Sequence, residues 1–263
     1  MSTTSNTGKV PVGGAEIYYE IHGDGPSLVL LHGGVNPSAT FGAPLAVMAK
    51  THKVIAIHMR GHGFSTDGDG PWSSELMADD VAAVLRQLGI GKARFMGYSL
   101  GAAVALQVAI RHPELVEKLV VVSVAFRTDG DFPEVRQAFA KMPDMAAAIG
   151  QQLAASPLAQ LYPGVDWESV MRKSGEMNLP GHDWTEGIKT IKAPILLVFA
   201  DADSIRPEHM VEFWQLLGGG LHDAGLDGSQ RPAGQLAILP NTTHYSLIDS
   251  PLLTEVATAF LMQ

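Results

Sequence analysis

No cysteine occurs among the 263 residues of the chain. Disulfide bonds, thiolate metal sites and cysteine nucleophiles are therefore excluded. Basic residues are also scarce, since 18 lysines and arginines stand against 27 aspartates and glutamates, which gives a formal net charge of -9. A chain with this charge is poorly matched to the phosphates of a nucleic acid or to an anionic membrane surface. We therefore predict no nucleic-acid partner.

The chain also lacks long apolar runs. No stretch approaches the roughly 20 residues that a membrane-spanning helix needs, so we predict no membrane insertion. Residues Met1 to Lys9 are polar and lack the basic and apolar regions of a signal peptide. We expect a loose tail there and a cytoplasmic location. Hydrophobic residues make up 46% of the chain, which fits a globular protein with a large core.

Short apolar segments alternate with segments of helical period along most of the chain. The apolar segments are predicted to be strands, and they are Ala15 to Ile21, Ser27 to Leu31, Lys53 to Ile57, Lys92 to Met96, Leu115 to Ala125, Ala193 to Ala200 and Gln235 to Leu239. Between two of them, Ser73 to Leu88 follow the period of an amphipathic helix, which Gly89 ends. This alternation indicates an α/β fold with a mainly parallel, doubly wound sheet.

The alternation stops between Phe126 and Lys192. This segment has no clear strand, several helical patterns and four methionines, namely Met142, Met145, Met171 and Met177. We predict a helical cap at residues 126–192, inserted into a core formed by residues 1–125 and 193–263. The methionines could form an adaptable surface for apolar ligands or fill the small core of the cap itself, and the sequence leaves both interpretations open.

One pentapeptide, Gly97-Tyr98-Ser99-Leu100-Gly101, has the form Gly-x-Ser-x-Gly. It lies between a predicted strand and a predicted helix from Ser99 to Arg111, which is the context of a nucleophile elbow. The glycines would leave room for neighbouring backbone, and the helix amino terminus would favour the negative charge that forms when a hydroxyl attacks a carbonyl. With 28 glycines in the chain, the pentapeptide could arise by chance, so its interpretation depends on partners elsewhere.

A serine nucleophile needs a histidine base and a carboxylate that orients the base. In a parallel sheet, such groups gather at the carboxyl ends of the strands. Ser99, Asp203 and His244 each follow a predicted strand, and they occur in the order that a hydrolase with a nucleophile elbow requires. Gly34, which follows an earlier strand, and Leu100 are predicted to supply the two backbone N–H groups of an oxyanion hole.

These features together resemble the α/β-hydrolase superfamily over nearly the whole chain. The resemblance rests on five motifs, which are His32-Gly33-Gly34, Arg60-Gly61-His62-Gly63-x-Ser65, Gly97-Tyr98-Ser99-Leu100-Gly101, Ala200-Asp201-Ala202-Asp203 and His244. It implies an eight-stranded sheet, a triad of Ser, Asp and His, and no cofactor. Members of the family commonly have Gly-x-x-Asp at the acid strand with the last Asp catalytic, which favours Asp203 over Asp201.

The resemblance also bears on the other histidines. His32 and His62 are similar to turn histidines of the family that act as hydrogen-bonded scaffold, and His58 stands where the family often has a structural Asp. His58 and His62 are four residues apart, but a strand followed by a turn would not place them on one helix face. A metal site is therefore disfavoured.

The activity that the resemblance implies is hydrolysis of a carboxylic ester of a small, apolar substrate through an acyl-enzyme intermediate. Val35, Phe41, Tyr98 and Tyr245 are predicted to line an apolar pocket for the acyl group. Because His244 has to accept a proton, we expect activity to fall in acid as this histidine becomes protonated.

Several alternatives share the predicted fold. Haloalkane dehalogenases and epoxide hydrolases use Asp at the elbow, so Ser99 argues against both. Carbon–carbon bond hydrolases and lactonases keep the same triad, although the former often have Trp where this chain has Tyr245. A non-catalytic protein that binds small molecules on the same fold is a further alternative, which turnover of a substrate would exclude. The sequence does not determine the oligomeric state.

Overall fold

The computed structural model describes residues 6–35 and 41–263, and this part of the chain contains an eight-stranded sheet. The strands are β1 Asn6–Val12, β2 Ala15–His22, β3 Ser27–Leu31, β4 Lys53–Ile57, β5 Ala93–Tyr98, β6 Val116–Val122, β7 Ile195–Ala202 and β8 Gly234–Thr243. Their order across the sheet is β1-β2-β4-β3-β5-β6-β7-β8. The pairs β1–β2 and β2–β4 are antiparallel and the other pairs are parallel. The predicted α/β fold with a mainly parallel sheet is therefore confirmed.

Strand β1 corrects the prediction of a loose tail up to Lys9. Residues 6–12 pair with β2 along their full length, whereas residues 1–5 lie outside the described part of the chain. Gly13 and Gly14, with φ angles of 52° and 80°, form the two-residue turn between the strands. Glycine is favoured in such a hairpin because the turn requires left-handed backbone at both positions.

Helices cover both faces of the sheet, and they are α1 Gly42–Met48, α2 Ser74–Gln87, α3 Leu100–Arg111, α4 Pro133–Ala154, α5 Pro157–Leu161, α6 Trp167–Asn178, α7 Thr185–Thr190, α8 Pro207–Leu216 and α9 Pro251–Met262. Side chains of the central strands alternate between the two faces. In β3, Val29 and Leu31 join a core cluster with α2, α3 and α8, whereas Leu28 and Leu30 join a cluster with α1 and α9. Full burial of one such side chain contributes about 1.5–3 kcal/mol. Within the described ranges, none of the helices is long and apolar enough to cross a membrane.

Several strand ends differ from the predicted ones, and three of them lie directly before a polar residue of interest. Strand β6 ends at Val122 rather than Ala125, because Ser123 adopts a left-handed backbone conformation with a φ of 53°. Strands β5 and β8 instead continue to Tyr98 and Thr243. The chain therefore has a polar residue directly after each of these three strands.

Helices α4 to α7 occupy the connection between β6 and β7, in which the described residues form no strand of the sheet. Helices α4 and α6 pack closely along each other. Two glycines permit this approach, because a Cβ atom on Gly175 would collide with Pro143 and one on Gly150 with the backbone of Glu168. The connection is thus helical, as the sequence predicts, and its assignment to a separate cap at residues 126–192 stays a prediction.

Candidate active site

Ser99 lies on a sharp turn between β5 and α3. Its φ and ψ angles are 52° and -116°, a conformation that is unfavourable for a residue with a side chain. The flanking glycines permit the close packing of this turn. A Cβ atom on Gly97 would collide with the backbone of Gly101, and one on Gly101 with the carbonyl groups at the end of β3. The turn therefore has the geometry of a nucleophile elbow.

The structure brings His244 next to this serine. The Nε2 atom of His244 lies 3.1 Å from Ser99 Oγ, within hydrogen-bond distance. The loop that carries the histidine is held at two points. The Tyr98 hydroxyl donates to the carbonyl oxygen of His244 at 2.6 Å, and just before the loop the Asp201 carboxylate accepts the backbone N–H groups of Asn241 and Thr242 of β8, each at 2.9 Å. Asp201 thus binds the backbone at the end of β8, whereas Asp203 contacts the imidazole ring.

Asp203 presents its carboxylate to the other nitrogen of the ring. Its Oδ1 atom lies 3.2 Å from His244 Nδ1, and its side chain is fully buried. The carboxylate also accepts the backbone N–H groups of Ala200 at 2.9 Å and Ser204 at 2.7 Å. Burial alone would raise the pKa of Asp203, but hydrogen bonds from His244, Ser123 and Ala200 outweigh it and hold this pKa below its ordinary value. Asp203 is therefore ionised at neutral pH.

Two serines that the sequence analysis missed also contact this pair. Ser123 Oγ lies 2.6 Å from both Asp203 Oδ1 and His244 Nδ1. Ser204 Oγ lies 3.3 Å from the same oxygen and 3.0 Å from the same nitrogen. Ser123 directly follows β6, and Ser204 directly follows Asp203. The rule that functional groups gather at the carboxyl ends of strands could therefore have found both. A single serine, however, has no spacing pattern that distinguishes it from a turn residue.

The two predicted oxyanion donors lie beside the elbow. Leu100 is the first residue of α3, so no carbonyl within the helix can accept its N–H group. Gly34 follows β3, which neighbours β5 in the sheet, and no atom of the described residues lies within 4 Å of the position that a Cβ atom on Gly34 would take. A Cβ atom on Gly33 would lie 3.6 Å from Ser99 Cβ, so this turn is close to the nucleophile. The role of the two amides as an oxyanion hole stays a prediction.

The four residues predicted to line an acyl pocket lie in different environments. Tyr98 is buried, with its ring 5.5 Å from that of His244. Phe41 is 1% exposed and packs in the core cluster with α1 and α9, so little of its ring faces outward. Val35 is partly buried, and Tyr245 is 83% exposed beside the His244 ring. Residues 36–40 lie outside the described part of the chain, and contact of these four with a substrate stays a prediction.

A further carboxyl group, that of Asp131, lies within electrostatic range of the site. Residue 131 pairs with Ile205, and backbone hydrogen bonds of 2.8 and 3.1 Å tie residues 130–132 to residues 204–206. Burial raises the pKa of Asp131 to about 6, with His244 and Arg136 opposing the shift and Asp203 adding to it. The sequence analysis missed this residue, because it precedes a helix where an acidic side chain is common.

His32, His58 and His62 form a separate cluster of histidines. The ring centroids of His32 and His62 are 5.2 Å apart, and those of His32 and His58 are 6.1 Å apart. Burial lowers the pKa of His58 and of His62 to about 4 and also lowers the pKa of His32. In residues 6–35 and 41–263, no group of three or more potential ligands is arranged to hold a metal ion.

A mainly parallel eight-stranded sheet with a serine elbow after β5 is the arrangement of the α/β-hydrolase class. Comparison with known proteins agrees with this class. The sequence profile of the family described as alpha/beta hydrolase fold matches residues 26–169. The chain belongs to this family.

Relatives and solved structures extend the comparison. A protein provisionally named carbamate hydrolase RutD, from Azorhizobium caulinodans, is 30% identical over 233 residues, which are 81% of this chain and 85% of the relative. The enol-lactonase from Burkholderia xenovorans LB400 has a TM-score of 0.76 and 22% identity, over 97% of this chain and all of that one. A structure from work on carboxylesterases of Nitrososphaera gargenis has a TM-score of 0.78 and 17% identity, over 98% of both chains. The relative supports hydrolase chemistry, and the two structures show the shared fold.

Proposed function

We propose that the chain is a serine hydrolase that cleaves carboxylic esters of small, apolar substrates through an acyl-enzyme intermediate. The observation that carries the proposal is the 3.1 Å contact between Ser99 Oγ and His244 Nε2, with the Asp203 carboxylate on the opposite side of the imidazole. A serine hydroxyl is a poor nucleophile at neutral pH, and this contact supplies the base that it needs.

In the proposed acylation, His244 Nε2 accepts the proton of Ser99 as Oγ attacks the carbonyl carbon. Asp203 stabilises the imidazolium that forms. The N–H groups of Gly34 and Leu100 donate to the oxyanion, and loss of one such donor costs about 3–4 kcal/mol in related mechanisms. The imidazolium then gives its proton to the departing alcohol, which leaves the acyl group on Ser99.

Deacylation repeats these steps with water as the nucleophile. His244 takes a proton from water, the oxygen attacks the acyl carbonyl, and the acid leaves as Ser99 recovers its proton. If an alcohol entered in place of water, the same steps would give an acyltransferase. Apart from the substrate and water, every group in the proposed scheme belongs to the chain, so the scheme uses no cofactor.

The substrate class follows from the chemistry of these steps. Esters, lactones and carbamates all present a carbonyl carbon with a leaving group, and the names of the similar proteins include all three types of activity. We place esters and lactones ahead of carbamates, because the carbamate nitrogen donates electrons to the carbonyl and makes it a poorer electrophile. A carbon–carbon bond hydrolase remains the alternative that would use the same triad.

We also propose that residues 126–192 act as a cap over a core of residues 1–125 and 193–263. The support comes from the pairing of residues 130–132 with residues 204–206. This pairing holds the start of the helical segment against the residues that directly follow Asp203. The methionines of this segment differ in their surroundings. Met171 is 6% exposed and fits the interpretation as core of the cap, whereas Met145 is 51% exposed on α4.

Hydrolysis of p-nitrophenyl esters with short, medium and long acyl chains tests the proposal. The wild type is compared with Ser99→Ala and with Ser229→Ala, a matched control at an exposed serine on the loop between α8 and β8. We expect the wild type and Ser229→Ala to be active, and Ser99→Ala to lose roughly 10⁴-fold or more in kcat. Circular dichroism should be the same for all three proteins. An organophosphate reagent should label the peptide that contains Ser99 in the wild type and in Ser229→Ala.

Two outcomes would contradict this proposal. Activity that survives in Ser99→Ala at full strength would mean that another group is the nucleophile. If the wild type hydrolysed no ester, lactone or carbamate and yet bound small apolar molecules, the non-catalytic alternative would be favoured.

A further inference from the structure

Ser123 lies between the elements that carry the candidate triad. It directly follows β6, and β6 lies between β5, which precedes Ser99, and β7, which precedes Asp203. Ser123 is 1% exposed, and its N–H group donates to Val198 O at 2.9 Å. Its φ of 53° is unusual for a residue other than glycine, and backbone strain of this kind clusters at functional sites.

Three distances define how Ser123 contacts its neighbours. Its Oγ atom lies 2.6 Å from Asp203 Oδ1 and 2.6 Å from His244 Nδ1, whereas the direct distance from Nδ1 to Oδ1 is 3.2 Å. The hydroxyl thus makes the two short contacts, at the lower end of the normal range for hydrogen bonds. We propose that Ser123 is a positioning residue that bridges the acid and the base of the triad, an inference that rests on the proposed function.

The number of available protons sets the direction of this bridge. A serine hydroxyl has one proton, and an ionised carboxylate has none. The contact between Ser123 and Asp203 therefore uses the serine proton, and the contact with His244 has to use a proton on Nδ1. In the neutral ring, Nε2 then carries the lone pair that faces Ser99, as a general base requires. Ser123 thereby favours the reactive tautomer of His244, in addition to the direct contact of Nδ1 with Asp203 Oδ1.

Ser204 provides an internal comparison, because its hydroxyl approaches the same two atoms at longer distances of 3.3 and 3.0 Å. Its closest contact with Asp203 Oδ1, at 2.7 Å, is made by its backbone N–H group. Replacement by alanine leaves that N–H group in place. The bridge therefore predicts a larger loss of activity for Ser123→Ala than for Ser204→Ala.

Steady-state kinetics on the best p-nitrophenyl ester test this prediction with Ser123→Ala, Ser123→Gly and Ser204→Ala. The glycine variant removes the hydroxyl and also relieves the positive φ, so it separates the hydroxyl from the backbone. We expect kcat to fall roughly tenfold to a hundredfold in both Ser123 variants, short of the ~10⁴-fold loss that a wrong tautomer causes in a serine protease. KM should change little, and Ser204→Ala should keep most of the activity.

Equal losses in Ser123→Ala and Ser204→Ala would overturn the proposal. A loss in Ser123→Ala that Ser123→Gly does not share would also overturn it, because the effect would then come from the backbone. Unchanged kcat in both Ser123 variants would also overturn the proposal.

The tautomer of His244 can be observed without any substrate. In the full chain labelled with ¹⁵N histidine, the neutral His244 ring of the wild type should carry its proton on Nδ1, and Ser123→Ala should show a mixture of tautomers. A wild-type ring with the proton on Nε2, or the same tautomer in both proteins, would overturn the proposed bridge. Because this measurement needs no turnover, it distinguishes failure of the bridge from failure of the proposed hydrolase activity.

Discussion

Two groups of histidines lie at the carboxyl ends of strands, and their surroundings differ. His32 directly follows β3, His58 directly follows β4, and His62 lies in the turn beyond; all three are at most 1% exposed. His244 directly follows β8, and its side chain is 16% exposed. Three of these residues belong to the sequence motifs and His58 lies two residues before one of them, so residue type alone does not separate the two groups.

The atoms bonded to each ring separate them. The Nδ1 atom of His32 donates to the Gly33 carbonyl at 2.7 Å, and its Nε2 atom accepts the Met59 N–H at 3.0 Å. Both nitrogens thereby hold backbone, including the turn that carries Gly34. The ring of His244 instead contacts the hydroxyl of Ser99 on one side and the carboxylate of Asp203 on the other. A ring between groups that exchange protons can act as a base, whereas a ring between backbone groups stabilises the fold.

Replacing one histidine from each group should separate activity from stability. We expect His244→Gln to lower kcat/KM by roughly 10⁴-fold or more, with little change in the free energy of unfolding. His62→Gln should lower the free energy of unfolding by about 1–3 kcal/mol, because the buried Nδ1 of His62 donates to Arg60 O at 2.9 Å, and should keep most of the activity. Ester assays and urea unfolding of both variants check this. If His244→Gln and His62→Gln both folded and both lost activity, the distinction between a catalytic and a structural histidine would fail.

Acid should act on the buried cluster through stability. The pKa values of His58 and His62 are lowered from 6.5 to about 4, so the unfolded chain binds more protons than the folded chain between these values. The contribution of these two neutral histidines to the free energy of unfolding is therefore fully present above pH 6.5, and it is lost as the pH decreases towards 4. The slope is about 1.4 kcal/mol per pH unit for each such group. The raised pKa of Asp131 acts in the opposite direction as this carboxyl becomes protonated below about pH 6.

Urea unfolding at pH 7.5 and pH 5 measures this dependence. We expect a clearly lower free energy of unfolding at pH 5, and a smaller difference between the two pH values in His62→Gln, in which one titrating group is absent. A wild-type stability that is equal at both pH values would show that the cluster does not titrate as its burial implies.

The sequence predicted the parts of the molecule that have a local pattern. The buried strands are continuous apolar runs, and the elbow has glycines at fixed offsets from Ser99, so both could be identified without tertiary information. Strand β1 was missed because it contains Asn6, Gly8, Lys9 and Pro11, residue types that are depleted in strands. The continuation of β6 to Ala125 was wrong because nothing local indicates the positive φ of Ser123.

Contacts between distant segments could not be predicted in this way. Arg60 belongs to a recognisable motif, but its buried partner Asp80, at 2.7 Å, lies on α2 and has no spacing relation to that motif. Ser123 reaches the triad only because the strand register places it level with Ser99 at the end of β5 and beside Val198 of β7. The Ser99 N–H donates to Val122 O at 2.8 Å, and the Ser123 N–H donates to Val198 O at 2.9 Å. These alignments depend on the assembled sheet.

The smallest expected effect concerns Asp131, a carboxyl near His244 with a pKa raised to about 6 by burial. When ionised, this carboxyl attracts a positive charge on the His244 ring, so its removal should change the acid limb of the kcat/KM profile. Asp131→Asn should move the midpoint of that limb to lower pH by a fraction of a unit, with little change in kcat at pH 8. The raised pKa also means that ionised Asp131 costs stability, so the variant should be as stable as the wild type or more stable at pH 7.5.

A matched control for this variant is Glu134→Gln, which removes the same charge from an exposed position in the first turn of α4. Because solvent and salt screen an exposed charge, this control should leave the midpoint of the acid limb unchanged. Profiles of kcat/KM from pH 5 to pH 9 would be compared for the wild type and both variants. Equal shifts in the two variants would trace the effect to the net charge of the chain. A shift in Asp131→Asn alone would show that a second carboxylate besides Asp203 contributes to the electrostatic field at His244.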